Sequence, residues 1–288
     1  MLKGIKTKKF NKRFWVLTAI IAIFIVFCVF ALDERIKIRN YTIDVAEIEE
    51  NIRIALVSDL HSDKYGKNQK KLIKKLEKHN PDIILLAGDI FDAYAEDTNA
   101  EIFIKAIADK YPCYYVTGNH EWLCSDEAFL KRMAMLEDSG VVILKNETRI
   151  LDINGQKINL CGVDDTESFS HEDGEANMSF SEQIKKVSDE TRKDNYTILL
   201  SHRPERFETY AQYDFDLVVS GHAHGGQIRI PAIINGVYAP NQGLFPEYAG
   251  GQYDKNGITM IVSRGLAKNT TWVPRVFNRP EIVIIDLM

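Results

Sequence analysis

Between Phe14 and Leu32 the chain runs for 19 residues without a charge, and nearly all of them are apolar. As an α-helix rising about 1.5 Å per residue, such a run approaches the roughly 30 Å hydrocarbon thickness of a bilayer. A buried core helix would carry a polar face or a turn signal, and this run has neither. Six basic residues, Lys3, Lys6, Lys8, Lys9, Lys12 and Arg13, precede it with no acidic residue among positions 1–13. That flank stays on the cytoplasmic side, and everything after Asp33 is sent across the membrane. The run exceeds the about 7–15 residues usual in a signal-peptide core, which favours a retained anchor. Val29-Phe30-Ala31 nevertheless fits a weak cleavage site, and Lys12-Arg13-Phe14 is similar to a twin-arginine export signal that lacks its paired arginines. The expectation is a single-pass cell-membrane protein: residues 1–13 a basic cytoplasmic tail, 14–32 a transmembrane anchor, and 33–288 one folded extracytoplasmic domain.

Charge narrows what that domain meets. The whole chain carries a net −5, and setting aside the six cations before the apolar run leaves −11 for the rest. Such a domain has no general attraction for nucleic acid or an anionic bilayer surface. A phosphate substrate would have to be drawn by local positive charge, which metal ions supply. Of the four cysteines, Cys28 lies in the apolar run, and Cys113, Cys124 and Cys161 form no pair with metal-ligand spacing. They read as free thiols.

Past the anchor, 36–43 alternates as a strand does, and 52–57 and 82–87 are short apolar runs that read as buried strands. Helical periodicity covers 69–78, 100–109, 126–138 and 181–192. Further strands are expected at 113–116, 197–200, 217–219, 258–263 and 281–287. Runs at 141–144, 147–153 and 157–163 suggest an antiparallel meander with an Asn154-Gly155 hairpin turn. A polar loop is expected over 164–179, and the C-terminal third is loop-rich. Strands alternating with helices first and antiparallel pairs later point to an α/β domain with mixed sheets.

Polar, metal-capable side chains follow the carboxyl ends of five apolar strands, the edge where open α/β sheets collect ligands. The segments are Asp59-Leu60-His61, Gly88-Asp89, Gly118-Asn119-His120-Glu121, Ser201-His202 and Gly221-His222-Ala223-His224. Each alone is weak, since a lone histidine after a strand is more often hydrogen-bonded structure than ligand. Their number and placement carry the argument: five of the seven histidines fall in these segments. Carboxylates mixed with imidazoles suit Mn²⁺, Fe or Zn²⁺, whereas Ca²⁺ and Mg²⁺ prefer all-oxygen sets. Asp59, His61, Asp89, Asn119, His202, His222 and His224 are too many for one ion. They are about what two ions need if one carboxylate bridges. Two cations about 3.5–4 Å apart clamp both the attacking and the leaving oxygen of an in-line phosphoryl displacement.

The order D-x-H, G-D, G-N-H-E, H and G-H-x-H, over roughly residues 52–226, resembles the calcineurin-like metallophosphoesterase superfamily. Gly221-His222-Ala223-His224-Gly225-Gly226-Gln227-Ile228 and Ser263-Arg264-Gly265-Leu266 are similar to a bacterial branch with an N-terminal export or anchor segment. That branch includes phosphodiesterases and UDP-diacylglucosamine hydrolase-type enzymes. The resemblance implies a four-layer αββα sandwich, two mixed β-sheets face to face with helices outside, preceded here by one transmembrane helix. It implies two divalent ions, Mn²⁺ foremost with Fe or Zn²⁺ as alternatives. Asp59, His61 and His224 would hold the first ion, Asn119, His202 and His222 the second, and Asp89 would bridge. His120 would be the catalytic residue, offsetting phosphoryl charge or protonating the leaving group. A metal-bridging hydroxide would attack phosphorus without a phospho-enzyme.

The implied reaction is hydrolysis of a phosphodiester or pyrophosphate bond, and the anchor points to a lipid-linked or envelope substrate. A metal-binding scaffold of the same fold without turnover is the alternative, and the presence of His120 speaks against it. The oligomeric state is not legible. Glu121 is expected to orient its neighbours, and Asp92 either supports a ligand or is solvated. Arg203 and Arg206 either meet substrate or form salt bridges. His79 reads as a helix end, and His171 as a solvated residue or part of a lid. Leu244, Phe245, Tyr248 and Tyr253 form either an apolar lip or ordinary loop packing.

Overall fold

The computed structural model describes residues 12–46, 48–170, 178–268 and 273–288. The tail residues before Lys12 and His171 with its acidic neighbours lie outside the described residues. Helix α1 (Lys12–Ala31) is apolar along nearly its whole length and long enough to cross a membrane. Its end is tied to the rest of the chain: the Phe277 N–H donates to the Ala31 carbonyl at 2.7 Å, and the Phe27 and Phe277 rings lie 5.3 Å apart.

Two six-stranded mixed sheets follow. The first is built from β1 (Lys37–Ile43), β2 (Ile52–Val57), β3 (Ile83–Ala87), β4 (Cys113–Val116), β5 (Val142–Ile143) and β14 (Glu281–Leu287), in the order β1-β14-β2-β3-β4-β5. Strands β2 to β5 are parallel, and β14 runs antiparallel to β2. Helices α2 (Lys70–Glu77), α3 (Thr98–Ala108), α4 (Asn119–Trp122) and α5 (Asp126–Asp138) connect them. The second sheet is ordered β12-β13-β9-β8-β7-β6, from β6 (Glu147–Ile153), β7 (Gln156–Gly162), β8 (Tyr196–Leu200), β9 (Leu217–Ser220), β12 (Gly251–Lys255) and β13 (Ile258–Val262). Helices α6 (Phe180–Asp189) and α7 (Phe207–Tyr210) belong to this half, with a small hairpin of β10 (Tyr238–Ala239) and β11 (Gly243–Leu244).

Strand alternation explains the layering. Ile52, Ile54 and Leu56 face Ile158, Leu160, Ile198 and Leu217 of the other sheet in one apolar cluster. Their neighbours Ala55 and Val57 point the other way, onto Leu72, Leu76, Phe103 and Leu136 of α2, α3 and α5. In the second sheet Leu199 and Val218 turn outward onto Ile184, Phe207 and Tyr210. With both faces covered, the central strands are continuous apolar runs. The result is the expected αββα sandwich.

Two expectations are corrected. The runs at 141–163 do not form one meander, because β5 pairs parallel with β4 in the first sheet while β6 and β7 pair in the second. The chain changes sheets at Asn146, which takes a left-handed φ of 52° while its Oδ1 accepts from the Asp164 N–H at 3.0 Å. The Asn154-Gly155 turn is present, with φ of 53° and 78°, as a tight hairpin requires. The C-terminal third also holds more strand than expected: β12 pairs antiparallel with β13, and β10 with β11.

Candidate metal centre

The carboxyl ends of β2, β3 and β4 in one sheet and of β8 and β9 in the other open onto the same place. Asp59 and His61 leave β2, Asp89 leaves β3, and Asn119 and His120 begin α4 after β4. His202 leaves β8, and His222 and His224 leave β9. Asp59, His61, Asp89, His222 and His224 all adopt left-handed φ, between 47° and 66°. Each such residue costs about 1–2 kcal/mol, and strain of this kind persists where surrounding structure enforces a functional geometry. Two glycines permit the close approach. A Cβ on Gly118 would lie 2.2 Å from Asp89 Oδ1, and one on Gly88 would lie 2.8 Å from His202 Nδ1.

Asp59 is fully buried; its Oδ1 accepts the backbone N–H of His222 at 2.9 Å, joining the two sheets. His61 sets Nδ1 3.1 Å from Asp92 Oδ2 and turns Nε2 toward Asp89 Oδ2, 3.5 Å away. His224 Nε2 lies 3.7 Å from Asp59 Oδ1. On the other side, His202 Nδ1 donates to the Ala87 carbonyl at 2.7 Å, which directs its Nε2 into the site, 3.3 Å from Asp89 Oδ2. His222 turns Nδ1 to within 3.1 Å of that same Nε2, while its own Nε2 lies 2.9 Å from Asn241 Oδ1. Asp89 Oδ2 is therefore common to both sets, and its Oδ1 accepts the His120 backbone N–H at 2.8 Å.

The arrangement fits cations. Asp59 Oδ2, His61 Nε2, Asn119 Oδ1 and His224 Nδ1 are buried without a hydrogen-bond partner among the described residues. Buried polar atoms left unpaired are costly, so orphans beside clustered carboxylates and imidazoles point to a ligand. Asp59, His61, Asp89 and His224 present ligand atoms within 4.8 Å of one another, and so do Asp89, His202 and His222. Protonation tells the same story. Burial depresses His202, yet Asp89 by charge and hydrogen bond, with Asp59 and Asp165, outweighs it and raises the pKa to about 10. Burial, then the neighbouring His202 and Arg203, push His222 down to about 3. A proton on His202 thus supplies positive charge between Asp89 and His222 when no ion does.

His120 differs from the other site histidines in reach. Its side chain is 21% exposed, against 1% for His61 and 0% for His202, so it alone stands at the mouth. Its Nδ1 lies 3.3 Å from Asp92 Oδ2. Burial lowers its pKa, but the Asp92 hydrogen bond with the charges of Asp89, Asp92 and Glu121 prevails and raises it. Glu121 is buried and accepts the backbone N–H groups of Gly118, Asp89 and Phe91 at 2.7, 2.9 and 3.1 Å. It orients its neighbours, as expected.

Other candidates separate. Asp92 supports both His61 and His120. Arg203 is buried in a two-pronged pair with Asp165, at 2.6 and 2.7 Å, and donates Nη1 to Asn241 Oδ1 at 2.7 Å. Arg206 sits over the Phe180 ring. Leu244 and Phe245 are exposed, whereas Tyr248 packs on Phe207 and Tyr253. All four cysteines are free, with Cys113 and Cys161 buried. Asp165 and Asn241 escaped the sequence reading. Pro240-Asn241-Gln242-Gly243 signals a turn, but nothing local says that the turn reaches His222.

Residues 52–226 match the family model for the calcineurin-like phosphoesterase, a span that contains all five motif segments. The chain belongs to this family. An uncharacterized metallophosphoesterase of Campylobacter jejuni is 27% identical over 261 residues, 87% of this chain and 63% of that protein. YpbG of Bacillus subtilis is 27% identical over 264 residues, 89% of each chain. Among solved structures, a 5'-nucleotidase precursor from Thermus thermophilus superposes with a TM-score of 0.54 at 14% identity, over 76% of this chain and 50% of that one. The NAD nucleotidase of Haemophilus influenzae gives 0.52 at 18% identity, over 76% and 46%. The chain spans under two thirds of the Campylobacter relative and about half of each nucleotidase, and the two structures share its fold.

Proposed function

We propose that the chain hydrolyses a phosphodiester or pyrophosphate bond with two divalent ions, Mn²⁺ foremost, in a lipid-linked or envelope substrate. The observation that carries the two-ion reading is Asp89 Oδ2, set between His61 Nε2 and His202 Nε2 at 3.5 and 3.3 Å. In this reading Asp59, His61 and His224 hold one ion, Asn119, His202 and His222 the other, and Asp89 both. Bound ions supply Lewis acidity, which activates water near neutral pH and offsets charge on phosphoryl oxygens. The Ala87 carbonyl fixes the tautomer of His202, and Asn241 with Arg203 holds the outer nitrogen of His222. Asp92 engages Nδ1 of His120 and, with Asp89 and Glu121, raises its pKa, which favours the imidazolium; in this reading Nε2 gives a proton to the leaving oxygen. The preference for a diester over a monoester rests on resemblance to the branch described above. The membrane location rests on α1, with residues 33–288 as the extracytoplasmic catalytic domain.

The test is direct. Full-length chain in detergent is stripped of metal and assayed on a chromogenic phosphodiester and the matching monoester, with and without Mn²⁺. Diester turnover restored by Mn²⁺ is expected. Turnover confined to the monoester removes the diester assignment, and two bound ions without turnover on either remove the enzyme reading for this substrate class.

A further inference from the structure

The cleft at the foot of α1 has a charge opposite to that of the domain around it. It encloses about 990 Å³ and is lined by seven cations, among them Arg35, Lys64, Lys71, Lys74, Lys78 and Lys268, against two carboxylates, Glu34 and Glu77. Glu77 is engaged by Lys110, and Arg35 by Asp33. Among the described residues Lys64, Lys71, Lys74, Lys78 and Lys268 form no ion pair. Helix α2 concentrates the charge: Leu72 and Leu76 are buried, while Lys70, Lys71, Lys74 and the following Lys78 face solvent. Lysines four apart on one helix repel each other, so this face is stabilised by an anion laid across it. Burial, then Arg279, Arg35 and Lys78, draw the Lys75 ammonium below the usual lysine range.

The place of the cleft identifies the anion. Glu34, Arg35 and Ile36, which line it, follow the end of α1 at Ala31 by only a few residues. Arg279 donates to the Arg35 carbonyl at 2.8 Å and pairs with Asp33 at 3.2 Å, so this stretch is bonded to the domain. An extended chain covers at most about 3.6 Å per residue, and the headgroup layers add about 10–15 Å in total to the roughly 30 Å core. A helix that leaves the hydrocarbon at Ala31 therefore sets this cleft at headgroup depth.

We infer that the cleft docks anionic phospholipid headgroups of the bilayer that α1 enters; this rests on the membrane reading above. Net charge concealed the site, because the carboxylates that outnumber these lysines lie elsewhere. The cleft is also linked to the metal centre along the chain. Lys64 and Tyr65 continue the segment that begins at Asp59 and His61, and the Leu266 N–H donates to the Asp59 carbonyl at 3.1 Å. Lys268, two residues on, lies over the Tyr65 ring. Headgroup docking holds the metal-bearing loops close to the lipid surface, where a lipid-linked phosphate would be presented.

The test uses the full-length chain reconstituted into vesicles of phosphatidylcholine alone or with added phosphatidylglycerol. An amine-reactive label is read lysine by lysine by mass spectrometry. Lys71, Lys74 and Lys78 should be protected at least about fivefold by the anionic lipid, and protection should vanish near 1 M salt, where the screening length is about 3 Å. Lys157 and Lys193, in the second-sheet half, should label equally in both vesicles. A Lys71→Glu, Lys74→Glu, Lys78→Glu variant should lose the protection of Lys64 and Lys268. Equal labelling in the two vesicle types overturns the inference, and so does equal protection by inorganic phosphate in neutral vesicles. Alkaline extraction of the same vesicles separates the two readings. A chain that washes out overturns the anchor, whereas a chain that stays in the membrane with its cleft lysines unprotected overturns headgroup docking alone.

Discussion

The two sets of side chains that meet at Asp89 are supported in different ways. In the Asp59, His61 and His224 set, the outer nitrogen of His61 rests on a carboxylate, Asp92, which also contacts His120. In the Asn119, His202 and His222 set, the outer nitrogen of His202 rests on the Ala87 carbonyl, and that of His222 lies between the Asn241 amide and Arg203 Nη1, 2.9 and 3.2 Å away, with no carboxylate on either. A carboxylate raises the basicity of the imidazole it holds, whereas a carbonyl mainly fixes its tautomer and angle. The first set is thus coupled to the part-exposed His120, and the second to the β10–β11 turn. On the reading proposed above, the first set carries the proton chemistry and the second reports the position of an exposed loop.

The largest effect should come from the residue the two sets share. Asp89→Ala should abolish binding of both ions and lower turnover at least about 10³-fold, equivalent to about 4 kcal/mol in the barrier. Metal content and activity measured on the same sample check this, and retention of one tightly held ion would mean that the carboxylate is not common to both. His120→Ala comes next: turnover should fall about 10²- to 10⁴-fold with metal content unchanged. Loss of metal there would make His120 a ligand and erase the contrast drawn for it. Asn241→Ala should weaken one ion about 10- to 100-fold and leave the other unaltered in a metal titration. Equal weakening of both would show that the sets are not independently supported.

The smallest effect concerns protons. With its pKa raised to about 10, His202 is protonated near neutral pH when metal-free, and a ligand nitrogen must be unprotonated. Ion binding near pH 7 should therefore release about one proton, and apparent affinity should rise with pH until His202 titrates. Calorimetry in buffers of differing ionisation enthalpy measures this. Zero release would place the proton elsewhere.

What the sequence disclosed, and what it did not, follows from the range of the interactions involved. The strand ends were legible because 52–57, 82–87 and 217–219 are apolar runs that stop at glycine or serine followed by carboxylates or imidazoles. Asp59, His61, Asp89, His202, His222 and His224 come together in the structure, with His120 beside His61. The supporting groups were not legible in the same way. Asp165 and Arg203 are 38 residues apart, as are Arg203 and Asn241, and no local pattern announces such a pairing. Strand β12 escaped notice because it begins at Gly251 and carries the polar Gln252, Asp254 and Lys255 of an edge strand, read as loop. The 141–144 run was placed in the wrong sheet because periodicity reports a strand without its partner. Net charge, a sum over the whole chain, hid the basic cleft beside α1.

The central claim is a paired-ion centre closed by Asp89, and counting ions tests it most directly. Full-length chain stripped of metal is titrated with Mn²⁺, and bound metal is quantified by mass spectrometry beside the His202→Ala and Asp59→Ala variants. The account predicts two ions per wild-type chain, one in each variant, and diester hydrolysis only when both are bound. A single ion at saturation in the wild type, or full activity with one ion bound, would contradict it.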